Sequence, residues 1–108
     1  MKNLIAGFDW DNGNVEKCQK HGVSRFEIEE LFHRTVMLLP DGDHSNSHEQ
    51  RFRAIGTTQA GRYIFVVFTM RALDGQMMIR PISARYMHRK EVDRYEQENP
   101  TLQERRGG

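Results

Sequence analysis

The chain is predicted to fold as an α+β domain: an antiparallel sheet of about four strands, with two helices before it and one after. Three observations support this. Strand-like segments cluster after two helical ones instead of alternating with them. Short turns link the later strands, as an antiparallel meander requires. At 108 residues, the chain has enough apolar material for one core. A single domain is expected over 1–98, with 99–108 as a flexible tail.

Ile5 to Trp10 reads as a short first strand. Asp11 or Asn12 caps a first helix through Val15, Cys18 and Gln19, and Gly22 supplies the left-handed residue that ends it. Ser24-Arg25-Phe26-Glu27 fits a capping box, in which the serine hydroxyl takes the free amide three residues on and Glu27 reaches back. Val23 and Ile28 have the spacing of a hydrophobic staple, and Ile28, Leu31 and Phe32 form one apolar stripe of a helix that stops near His33. Thr35 to Leu39 is a β-branched, apolar strand that Pro40 terminates.

Asp41 to His48 is polar and reads as a loop, Gln50 to Thr57 alternates like a strand, and Gln59-Ala60-Gly61 makes a turn. Tyr63 to Thr69 is almost continuously apolar, which predicts a central strand buried on both faces. Asp74-Gly75 is a hairpin signal, and Met77 to Ser83 follows as a strand. Pro81 removes a ladder donor there, so an edge position or a bulge is expected. A last helix is predicted from Tyr86 to Gln97, with Val92 and Tyr95 facing the core beside Tyr86 or His88, and Pro100 ends it.

Net charge is only +1, but it is unevenly spread. Residues 1–50 carry 5 basic and 9 acidic side chains, and residues 51–94 carry 9 and 3. A basic block of this kind favours a polyanionic partner, against the alternative of a solvated surface that balances on folding. Cys18 is the only cysteine, so neither an internal disulfide nor a cysteine zinc cluster is expected. The start lacks a signal-peptide apolar run, and the longest apolar stretch, Tyr63 to Phe68, is far too short to span a bilayer. A cytoplasmic protein without membrane attachment is the expectation.

The arginines are the most informative feature. Arg51, Arg53, Arg62, Arg71, Arg80 and Arg85 punctuate strands that otherwise read as buried, and a guanidinium in such a place needs a partner. Hairpin geometry brings Glu49, Arg51 and Arg71 to one end of the meander and Arg62 and Arg85 to the other, with Arg80 between. Arg51 and Arg53 share a face because side chains alternate. Two kinds of partner are open. Arg85 can pair with Glu91 or Asp93, and Arg51 and Arg71 with Glu49 and Asp74. Alternatively, guanidinia left unpaired grip phosphate oxygens bidentately. No helix-turn-helix, zinc finger or aromatic RNA-recognition motif is visible.

Of the five histidines, His33 reads as structural and His88 as solvated, while His44 and His48 sit in the loop before Glu49. A metal held by His44, His48 and Glu49 is the less favoured reading, since three residues in one loop are a weak signal and no HExxH is present. No cofactor motif is found either. The set suits metal-free RNA cleavage. A carboxylate or imidazole takes the 2′-hydroxyl proton as that oxygen attacks phosphorus, and guanidinia hold the developing charge. Glu49, with His44 or His48, sits beside the arginines, and Lys20-His21 adds cationic candidates.

Phe8-Asp9-Trp10-Asp11, Asn14, Lys17 and Lys20-His21-Gly22-Val23 resemble the opening of the BrnT toxins, the ribonuclease components of BrnT–BrnA toxin–antitoxin systems. The resemblance continues through His44-Ser45, Glu49, Arg51-Phe52, Ile55-Gly56, Gly61-Arg62, Val66 to Thr69 and Arg71. It ends with Arg80, Ile82-Ser83-Ala84-Arg85, Glu91 and Tyr95. It implies a RelE-like fold, metal-independent endoribonuclease activity that blocks translation, and a cognate BrnA antitoxin. The ribbon-helix-helix domain of that antitoxin binds the operon's promoter, so operator DNA is reached only through it. Two positions depart from the family pattern: Pro81 stands where many relatives carry an aliphatic residue, and Asp9 where Glu is usual. The candidate catalytic residues are Glu49, Arg51, Arg80, Arg85 and His44, with Lys20, Arg62 and Arg71 as RNA-binding candidates. The alternative is a non-catalytic binding module that acts only with its DNA-binding partner.

Overall fold

The computed structural model describes residues 6–34, 37–43, 45–46 and 48–98. His44, the start of the predicted Thr35 strand, Ile5 and the expected tail lie outside the described residues. The chain runs β1 (Gly7–Phe8), α1 (Asn12–Gln19), α2 (Arg25–Leu31), β2 (Met37–Pro40), β3 (Arg51–Thr57), β4 (Tyr63–Leu73), β5 (Gln76–Tyr86) and α3 (Arg89–Glu98).

The helix starts follow from their caps. Ser24 and Glu27 close the expected capping box on α2. Asp11 caps α1, and a second box forms there because Asn14 stands in for the usual Glu or Gln. Buried Asn14 also donates to the carbonyls of Asp9 and Pro81. It thereby ties the first segment to the middle of β5.

The α+β class is as expected, but the sheet differs from the prediction. It has five strands in the order β1-β5-β4-β3-β2, and it is mixed. β2 through β5 form the antiparallel meander. β1 joins it in parallel beside β5, pairing Gly7 with Met78 and Phe8 with Ile79. A two-residue strand carries too little pattern to reveal its partner, and that partner is some seventy residues away.

Asp74 and Gly75 both take positive φ (50° and 77°), so a two-residue turn joins Leu73 to Gln76. β5 is longer than predicted and ends at Tyr86, so the last helix begins at Arg89 and not at Tyr86. Pro81 lies on an inner strand, beside a register shift. Val67 pairs with Ser83 and Phe68 with Pro81, which leaves Ile82 as an extra residue. Of the two sequence expectations for Pro81, this is the bulge and not the edge.

The two sheet faces are covered unequally. On one face Ile64, Val66, Phe68, Ala54, Ile79 and Ala84 meet Cys18, Val23, Ile28 and Leu31 from the α1–α2 segment. Phe32 stands edge-on to Phe8 and Phe68 there. On the other face α3 is the helix among the described residues, and it covers one end, where Tyr95 meets Tyr63 at 5.6 Å between ring centroids and Ile55 joins them. The hydroxyl of Tyr63 donates to Glu96 at 3.0 Å. No helix among the described residues is long and apolar enough to cross a membrane.

Candidate functional site

Strand register fixes what the rest of that second face presents. Paired residues of neighbouring strands point the same way, and residues two apart on a strand share a face. Arg51, Thr69 and Arg80 therefore form one row across β3, β4 and β5. Arg53, Val67 and Ser83 form the next, and Ile55, Phe65 and Arg85 the third. Arg80 and Arg85 are five residues apart, an odd number, so strict alternation would put them on opposite faces. The extra residue Ile82 resets the alternation and brings both to one side.

The partners of these guanidinia are carboxylates of the protein. Arg80 donates Nη1 to Asp9 at 3.3 Å and Nη2 to Asp11 at 2.8 Å. Arg71 reaches the same Asp9 oxygen at 3.4 Å. Arg85 is held bidentately by Glu91, at 2.8 and 2.9 Å. Glu91 also accepts from the amide of His88, just before α3, at 2.9 Å. Arg51 gives its Nε to Glu49 at 2.8 Å. The acidic first part of the chain thus supplies Asp9, Asp11 and Glu49 to the basic later part. The unpaired guanidinia that the sequence alternative required are replaced, at these four positions, by ion pairs.

Arg53 differs. Its Nε is buried and makes no hydrogen bond among the described residues, and Asp41 stands 3.9 Å away. Its guanidinium lies 5.7 Å from the centre of the Phe65 ring, which Arg85 also approaches at 4.9 Å. The sequence reading placed Arg53 on the face of Arg51 but gave it no role. The signal for one was that alternation.

These contacts shift the ionisation of the groups. The Arg85 guanidinium and the His88 amide hold Glu91 down at about 2. The Glu91 hydrogen bond in turn raises Arg85. Asp11 is lowered first by the Asn14 amide and then by Arg80. For Arg80, burial opposes the charge, but Asp11 and Asp9 outweigh it and raise the pKa. Cys18, buried on the helix-covered face, is pushed up to about 11 by desolvation and is no nucleophile.

The loop before β3 is pinned at its root. The Ser45 hydroxyl donates to the carbonyl of Asp41 at 2.7 Å and accepts from the amide of Arg51 at 2.8 Å. Asn46 accepts from the amides of His48 and Glu49. Glu49 is thereby held beside Arg51, with exposed His48 adjacent.

The remaining candidates lie elsewhere. Arg62 stacks 3.5 Å over Tyr86, whose hydroxyl bonds Glu27 of α2, so it sits on the helix-covered side. It does not share a face with Arg85, although the two meet at one end of the sheet as expected. Lys20 follows α1 and is exposed, and Arg71 sits at the rim beside Asp9. Among the described residues, no three His, Cys, Asp or Glu side chains gather as a metal site would require. The trio containing His44 falls outside that statement.

Comparison with known proteins adds one finding. The family model described as the ribonuclease toxin BrnT of type II toxin–antitoxin systems matches residues 10–91. No curated protein matches the chain.

Proposed function

The chain belongs to the BrnT family of ribonuclease toxins from type II toxin–antitoxin systems, and from that premise we propose a metal-independent endoribonuclease that works on the part of the sheet that no described helix covers. The observation that supports this is the placing of Arg51, Arg80 and Arg85, from two strands, on one face beside Glu49. The 2′-oxygen attacks the neighbouring phosphorus, a 2′,3′-cyclic phosphate forms, and the bond to the 5′-oxygen breaks as that oxygen takes a proton from a protonated histidine of the loop or from water. Glu49, or a histidine of its loop (His44 or His48), takes the 2′-hydroxyl proton. The guanidinia stabilise the charge that grows on the phosphoryl oxygens. Among the described residues Arg51 uses only its Nε, for Glu49, which leaves both terminal nitrogens to a phosphate. Arg62, Arg71 and Lys20 extend the contact with RNA around the rim. The activity inhibits translation in the cytoplasm, and a BrnA-type ribbon-helix-helix antitoxin neutralises it and carries the pair to operator DNA.

Purified protein is expected to cleave RNA in the presence of EDTA and to leave intact an RNA whose 2′-hydroxyl at the cut site is replaced by hydrogen. A requirement for a divalent metal would overturn the mechanism.

One observation favours a second reading. Glu91 occupies Arg85 bidentately, and Asp9 and Asp11 occupy Arg80, as in a purely structural network. In that case the chain acts only through its antitoxin at the operator. Induced expression without the antitoxin then leaves growth unchanged.

A further inference from the structure

Resting on the ribonuclease reading, we propose that Arg53 is the phosphate anchor of the open face: it takes the phosphodiester of a single-stranded RNA between itself and the candidate catalytic arginines. Three observations lead there. First, position: the row of Arg53 lies between the row holding Arg51 and Arg80 and the row holding Arg85, so it is the central guanidinium of the face.

Second, satisfaction. Arg51, Arg71, Arg80 and Arg85 each donate a hydrogen bond to a carboxylate. Arg53 donates none to any described residue, and its nearest carboxylate stands beyond hydrogen-bond distance at 3.9 Å. A buried donor left without a partner is costly, and native proteins keep such a defect where it serves something.

Third, local charge. Two guanidinia approach one aromatic ring, Phe65; Arg85 has a bidentate hydrogen-bonded carboxylate, whereas Arg53 has only the looser ion pair with Asp41 at 3.9 Å. Two cations over one ring repel each other, and a second anion, hydrogen-bonded to the outer nitrogens of Arg53, relieves the repulsion that Asp41 at 3.9 Å leaves. The side chain is 38% exposed, so the far end of the fork is open to a ligand while its Nε is not. A phosphodiester is monoanionic, and its two free oxygens suit that fork.

The test is equilibrium binding of a single-stranded oligoribonucleotide carrying 2′-O-methyl groups throughout, which binds but is not cut. It is measured across a series of salt concentrations with the full chain. Arg53→Ala is expected to weaken binding about tenfold and to flatten the salt slope by about 0.7, one phosphate contact on a single strand. Arg53→Lys, which keeps a point charge, is expected to keep the slope with intermediate affinity. Arg94→Ala, at an exposed position on α3, controls for lost charge and should change neither by as much. If Arg53→Ala unfolds, Arg53→Gln keeps the stem over Phe65 and carries the same expectation. Should the Arg53 variants match Arg94→Ala while the unaltered protein cleaves RNA, the role of Arg53 is overturned and the ribonuclease reading stands. A protein that neither binds nor cleaves RNA overturns both.

Discussion

The same three strands, β3 to β5, present two faces that have little chemistry in common. Toward α1 and α2 the alternate residues include Ala54, Ile64, Val66, Phe68, Ile79 and Ala84, packed in one apolar cluster with Arg62 and Glu27 only at its edge, around Tyr86. Toward the other side they are Arg51, Arg53, Val67, Thr69, Arg80, Ser83 and Arg85, with Ile55, Tyr63 and Phe65 at the end that α3 covers. The first face is stabilised by burial and tolerates little change in volume. The second keeps its guanidinia in place with carboxylates drawn from the residue after β1, the α1 cap, the loop before β3 and the start of α3. The larger core cluster thus lies on one face, and the groups able to meet an anion on the other, beside the smaller cluster of Ile55, Tyr63 and Tyr95.

Substitutions can break that division or sharpen it. The largest effect is expected at fully buried Ile64, where Ile64→Ala should destabilise the fold by about 3–4 kcal/mol through lost burial and a cavity. Denaturant unfolding reads this loss, and cleavage per folded molecule should be unchanged. If cleavage falls in folded protein, the two faces are coupled more tightly than the packing implies. Next comes Arg80→Ala or Arg85→Ala, each expected to slow RNA cleavage about 100-fold, or roughly 2.7 kcal/mol of transition-state stabilisation. Both should still melt cooperatively and bind antitoxin. Folded variants with full activity would assign these arginines to structure alone.

The smallest effect concerns acid. Glu91 is held at about 2 against an ordinary 4.5, so its pairing with Arg85 stabilises the fold above that ordinary value. The contribution is lost as pH falls from about 4.5 through about 2. Its side chain is about a third exposed, so screening limits the gain to about 1 kcal/mol. Glu91→Gln should lower stability by that amount at pH 7 and flatten the acid limb of a melting-temperature profile. An unchanged acid limb would show that the pair does not hold α3 to the sheet.

Much of the frame was legible in the chain. Ser24 with Glu27 announced a helix start, Asp74-Gly75 a turn, and the apolar run from Tyr63 a central strand, because each is decided by neighbours in sequence. The face that matters for function was less so. The partners of Arg80 lie 69 and 71 residues away, and no local pattern announces such a meeting. The Glu91 partner of Arg85, only six residues on, was among the two pairings expected. The bulge at Ile82 was half legible. Pro81 signalled an irregularity, but only the register shows that it turns Arg80 and Arg85 to the same side. Arg53 was visible by alternation, yet its missing hydrogen bond depends on where Asp41 falls.

The tie between Arg80 and the first strand also bears on how the molecule is made. A chain leaving the ribosome carries Asp9 and Asp11 long before Arg80 has been synthesised. β1 has nothing to pair with until β5 follows it out. Closing so long a loop comes late in folding, after the local helices and the β3–β4 hairpin have formed. The part of that face carried by β5, with Arg80 and Arg85, is therefore completed late, and a nascent chain that stops before β5 lacks it. That leaves an interval in which the polypeptide exists before its candidate site does.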